Sequence, residues 1–82
     1  MVYLAITSNG LAEVLRVRED EKTAVWCGSD AISEDDYDDL KAGNVSRFSY
    51  PLRGQESDVL AGALETIEEH HPNETVWVEQ CR

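Results

Sequence analysis

The chain is poor in basic residues, in cysteine and in proline, and it has no long apolar run. Only seven Lys and Arg stand against seventeen Asp and Glu in 82 residues, a formal net charge of −10. Binding phosphates takes clustered Lys and Arg. Here Arg16, Arg18 and Lys22 form the one local basic group, and Glu19, Asp20 and Glu21 interrupt it. The charge therefore argues against direct nucleic-acid binding and against an anionic membrane surface. Two cysteines, Cys27 and Cys81, are too few for a disulfide scaffold, and their wide separation matches no metal or redox spacing. No stretch approaches the ~20 apolar residues of a membrane-spanning helix, and the N-terminus shows no basic-then-apolar leader. The expectation is a reduced, cytoplasmic protein. Asn44-Val45-Ser46 and Asn73-Glu74-Thr75 fit the glycosylation pattern. Without a secretion signal both read as chance.

What is present suffices for one folded unit. Hydrophobic residues make up 41% of the chain, too many for disorder. Residues 1–82 read as a single small acidic domain around one core. Its expected stability is on the order of 4–12 kcal/mol.

Residues 2–7, Val-Tyr-Leu-Ala-Ile-Thr, form a short apolar run bounded by Ser8-Asn9-Gly10 and read as a buried strand. Leu11 to Glu21 favours a helix, with Leu11, Val14, Leu15 and Arg18 on one face and Asn9 or Gly10 as cap. The alternative makes Asn9-Gly10 a hairpin turn and the start of an antiparallel meander. Residues 23–28 read as a second strand. Ser33 opens a helix: Ser33 and Asp36 form a capping-box-like pair, and Ile32 and Tyr37 have hydrophobic-staple spacing. Glu34, Asp35 and Asp36 suit its first turn, and Gly43 is placed to end it in a left-handed conformation. Residues 45–52 read as a third strand, closed by Pro51. The clearest helix covers roughly 56–70, begun by Ser57 or Glu56 and stopped by Pro72. Leu60, Ala63, Leu64 and Ile67 make its apolar stripe. Residues 75–79 read as a last strand. The alternation β-α-β-α-β-α-β predicts an α/β fold with a mostly parallel four-stranded sheet. The α+β meander is the alternative.

In such folds ligands bind beyond the carboxyl ends of the strands. Ser8, Asn9 and Gly10 run into a helix N-terminus, where free N–H groups and the dipole favour an anion. Ser29 and Asp30 follow the second strand. These five residues form the candidate ligand site, if the first two strands are parallel neighbours. An ordinary helix cap needs the same residues. Cys27 lies beside Ser29 and Asp30, but acidic surroundings disfavour a thiolate, so it reads as a small core residue. His70 and His71 point about 100° apart on a helix and cannot share a metal from one face. They suit the negative helix end instead. No catalytic set, metal set or cofactor motif is assembled. The aromatic residues Tyr3, Trp26, Phe48, Tyr50 and Trp77 read mainly as core material.

Six of the seventeen acids fall within residues 30–39. In a helix, Glu34, Asp35, Asp38 and Asp39 share an outer face, either simply solvated or presented to a basic partner. The leading expectation is a non-enzymatic domain that binds a basic protein surface with this face. Two others stand beside it: a small-ligand or anion binder, or enzyme, at the strand ends, and an inhibitor that mimics nucleic acid toward a basic protein. The last strand, carrying Trp77, also allows a weak homodimer, opposed by charge repulsion; otherwise the chain is a monomer.

Overall fold

The computed structural model describes residues 1–54 and 57–80. Glu56, one of the two expected helix starts, and Cys81 lie outside the described residues. Strands and helices alternate in chain order: β1 Val2–Ala5, α1 Ser8–Val17, β2 Ala24–Cys27, α2 Glu34–Asp38, β3 Val45–Arg47, α3 Ser57–His70 and β4 Val76–Val78. The strands form one sheet in the order β3-β2-β1-β4, and every pairing is parallel. This is the expected α/β architecture. The hairpin alternative fails because Ser8–Val17 is helical.

The pleat sends successive side chains to opposite faces, so each face of the sheet carries its own apolar layer. Val2, Leu4, Ala24 and Trp26 pack with Ala63 and Ile67 of α3, joined by Phe48 and Leu52. Tyr3, Ala5, Val25 and Cys27 pack with Leu11, Val14 and Leu15 of α1 on the other side. The single core expected from chain length is therefore two layers separated by the sheet. Both are needed, because a parallel sheet is buried on both faces.

Several boundaries differ from the sequence expectation for identifiable reasons. The N-cap of α1 is Thr7, not Asn9 or Gly10: the Thr7 hydroxyl accepts from the Gly10 N–H at 3.0 Å. In α2 the expected cap is present, with Ser33 Oγ accepting from the Asp36 N–H at 3.1 Å. Yet α2 ends at Asp38 and does not reach Gly43. Asp35, Asp38 and Asp39 repel one another at helical spacing, and the last two put acid at the negative end of the dipole. The left-handed residue is Asn44, at φ 59°, just before β3. Asn73, at φ 64°, lies in the turn three residues before β4. Asn tolerates this conformation better than most residues. Both asparagines of the glycosylation-like triplets thus serve turns that start strands.

Arginines tie the loops to the sheet. Arg18 donates to the carbonyls of Thr23 and Gly43 at 3.2 and 2.8 Å. Arg47 donates to those of Ile32 and Ser29 at 2.9 and 3.2 Å. The Tyr37 hydroxyl donates to the Val45 carbonyl at 2.8 Å and anchors α2 to β3.

Ile67 is fully buried under the sheet, whereas Val17 is 52% exposed. Ile67→Ala should lower the unfolding free energy by about 2–5 kcal/mol, and Val17→Ala by under about 0.5 kcal/mol. Urea denaturation of the two variants checks the assignment of the α3 layer as core.

Candidate functional site at the carboxyl ends of the strands

The strand order places a switch point between β1 and β4. From β1 the chain builds outward through β2 to β3, and α3 then carries it back over the sheet to the other side of β1. At such a point the loops after the two strands diverge and leave a crevice where ligands bind. Here the crevice holds the Glu79 carboxylate, the residue after β4.

Glu79 makes three contacts there. Its Oε1 accepts from the Ile6 N–H at 2.6 Å and the Thr7 N–H at 2.8 Å, and its Oε2 accepts from the Thr7 hydroxyl at 2.5 Å. The α1 first turn contains no acid, unlike those of α2 and α3. Glu79 supplies the missing negative charge from the far end of the chain, where the helix dipole favours it. Gly10 allows this approach: a Cβ at that position would collide with the Glu79 carboxylate. The same contacts explain why β1 ends at Ala5 instead of running to Thr7. The N–H groups of Ile6 and Thr7 turn to the carboxylate. Burial alone pushes Glu79 upward, but the Thr7 hydroxyl, the Thr7 and Ile6 N–H groups and nearby Arg53 together hold its carboxyl below its ordinary value.

The structure brings the five candidate ligand residues to one end of the sheet, because β1 and β2 are parallel neighbours. Ser8 and Asn9 are exposed on the first turn of α1. Asp30 is turned onto the backbone, its two oxygens accepting from the Leu52 and Arg53 N–H groups at 3.2 and 3.1 Å. Gly28 leaves room for this bend, since a Cβ there would lie 2.7 Å from Asp30 Oδ1 and 3.0 Å from Leu52. The Ser29 N–H donates to the Tyr50 carbonyl at 3.0 Å. Comparison with protein families, curated proteins and solved structures gives no significant match. The chemistry of this end of the sheet is therefore read from its own geometry.

Cys27 is buried, and its thiol faces the Ser46 carbonyl at 3.6 Å. Burial pushes the thiol up to about 11; Arg47 opposes this and Asp30 adds to it. It is a packing residue at neutral pH. His71 is also structural. Trp26 Nε1 donates to its Nε2 at 3.3 Å, so the other ring nitrogen, Nδ1, carries the hydrogen that faces Glu74 Oε2 at 3.2 Å. Glu74 also accepts from the N-terminal ammonium of Met1 at 2.7 Å, which holds its carboxyl below its ordinary value. His70 packs edge-on against Trp26. Among the described residues, no three His, Cys, Asp or Glu side chains come together as a metal site.

Sequence reading missed Glu79 and Thr7. The available signal was the acid-free first turn after the first strand, which called for a carboxylate from elsewhere. The exposure of Trp77, which its sequence does not decide, is 56%, so it is the aromatic residue that lies outside the core. Trp26, Phe48 and Tyr50 do pack together, with successive ring centroids 5.2 Å apart.

Glu79→Ala should cost about 1–3 kcal/mol, because two backbone donors lose a charged acceptor. Gly10→Ala should also destabilise the wild type, despite alanine's better helix propensity, because it displaces the carboxylate. In the Glu79→Ala background the same change should be neutral or stabilising. The folded value of Glu79 lies below its unfolded value. Its contribution is therefore complete at neutral pH and is lost as pH falls through the folded value. Urea midpoints of the four proteins, at neutral and acidic pH, measure both effects.

Proposed function

We propose that this chain is a non-enzymatic, cytoplasmic binding domain that presents the α2 face to a basic protein surface. One observation carries the reading. Glu34, Asp35, Asp38 and Asp39 are all exposed, and none takes part in the ion pairs found among the described residues. Three acids elsewhere have partners within the fold: Glu79 at α1, Asp30 at the Leu52 and Arg53 N–H groups, and Glu74 at the N-terminus and His71; Glu65, Glu68 and Glu69 on α3 are exposed, as those of α2 are. Beside the α2 acids runs an open groove of about 330 Å³, with Asp38, Leu40, Asn44 and Ser46 among its walls. A basic side chain entering it would meet the Asp38 carboxylate, with the other α2 acids beside the rim.

The anion-binding and enzymatic readings draw less support. The switch-point crevice is filled by the chain's own carboxylate, Asp30 is engaged with backbone N–H groups, and the Cys27 thiol is protonated at neutral pH. These are structural duties for the groups such a site would need.

Steering between unlike charges raises association rates and weakens with salt. Affinity capture followed by quantitative mass spectrometry, at about 0.1 M and about 0.5 M salt, should yield partners retained only at the lower salt. Their association rates should fall about tenfold or more with the Asp35→Asn, Asp38→Asn, Asp39→Asn triple variant. That variant should be at least as stable as wild type, since it relieves like-charge repulsion. Partners bound equally at both salts and by both proteins would overturn the proposal. If duplex DNA competes for those partners, the acidic face acts as a nucleic-acid mimic.

A further inference from the structure

The opposite edge of the sheet presents a different surface. β4 is the edge strand, and among the described residues only one of its sides is paired. The Thr75 carbonyl accepts from the Val2 N–H and the Glu79 N–H donates to the Leu4 carbonyl, each at 2.9 Å. In a parallel ladder the residues facing the neighbour alternate along the strand. Thr75, Trp77 and Glu79 therefore face β1, and Val76 and Val78 direct their N–H and C=O groups outward from the sheet. Natural edge strands are guarded by charge, proline or cover. The Val76-Trp77-Val78 segment carries no charge and no proline. The adjacent acid, Glu79, points inward to α1 and leaves the edge unguarded.

The face beside this edge is also bare. Tyr3 and Trp77 are paired across the ladder and share the side on which α1 lies. Between α1 and β4 runs a groove of about 200 Å³, floored by Tyr3 and walled by Gly10, Val14 and Trp77. Its lining is almost wholly apolar, with Glu13 and Glu79 among its residues. Trp77 is 56% exposed and Val78 39%. A half-exposed tryptophan beside open backbone donors has the character of a binding anchor.

We propose that β4 accepts an extended segment of a basic partner protein as a fifth strand. Its backbone groups would pair with Val76 and Val78, its apolar side chains would enter the groove beside Trp77, and its Lys or Arg residues would reach Glu13 in exchange for the exposed Arg16 that pairs with it, a surface ion pair that costs little to give up. Strand addition supplies affinity through the backbone and specificity through alternate side chains. Charge decides between a foreign segment and a second copy. Another copy would bring a further net charge of −10 and add to the repulsion, whereas a segment alternating apolar and basic residues complements both the apolar groove and the net charge of this chain. This surface lies across the sheet from α2, so the inference stands or falls independently of the acidic helix face.

The test is selection of random dodecapeptides displayed against the whole protein. Enriched peptides should alternate apolar residues with Lys or Arg. When bound, they should slow amide hydrogen exchange at Val76 and Val78. Trp77→Ser and Glu13→Lys should each weaken binding about tenfold or more, and the α2 triple variant should bind unchanged. Val78→Pro removes only an outward N–H and should weaken binding without breaking the sheet, which separates loss of docking from loss of fold. Enriched peptides lacking the basic alternation, or binding that leaves the two amides exchanging as before, would overturn the proposal. So would a concentration-dependent dimer in sedimentation whose formation slows those amides in the protein alone.

Discussion

The crevice between β1 and β4 depends on one carboxylate. Glu79 ends β1 by taking the N–H groups of Ile6 and Thr7, supplies the negative charge that the first turn of α1 lacks, and fastens β4 in register beside β1. Its contacts join residues more than seventy positions apart, so they form only when the whole α/β wrap has closed. The geometry is that of an anion bound at a helix N-terminus, with the anion belonging to the protein. A crevice that a parallel sheet would normally offer to a ligand has become an internal brace.

This brace shifts attention from the strand ends to the surfaces. Of the many acids, those at Glu79, Asp30 and Glu74 hold backbone or charged groups within the fold. Those on α2 have no such role beyond starting the helix, and they shorten the helix they occupy. The net charge of −10 is thus divided between acids that build the structure and acids that face outward. The apolar surface is divided in a similar way. Two layers are sealed by α1 and α3, while the edge at Trp77 stays open.

Local signals in the sequence foretold local structure well. The apolar stripe of α3 and the Ser33 cap are where periodicity and capping chemistry put them, and all four strands form, but the third, expected over 45–52, ends at Arg47, and Phe48 to Leu52 leave the sheet to cover the α3 layer. Ser8, Asn9, Gly10, Ser29 and Asp30 fall at one end of the sheet because β1 and β2 are parallel neighbours and a β-α-β unit leaves both loops there. What was not legible depended on which strands are neighbours. Nothing in residues 75–79 says that they pair with β1 rather than β3, and only that pairing brings Glu79 to Thr7. The same gap hid the exposure of Trp77, since an edge strand and a central strand can share one composition. The early end of α2 was legible in principle: its run of aspartates opposes the dipole that its N-terminus exploits. Thr7 is hidden as a cap in the sequence, because the apolar run before it favours extending the strand.

The most direct test of the brace is an acid titration followed by NMR, observing the amide protons of Ile6 and Thr7 together with the Glu79 side-chain carboxyl carbon. The account predicts that all three signals move with one midpoint below the ordinary glutamate value, and that both amides lose their downfield positions in Glu79→Ala. Amide shifts that ignore the titration of Glu79, or that survive its removal, would contradict it.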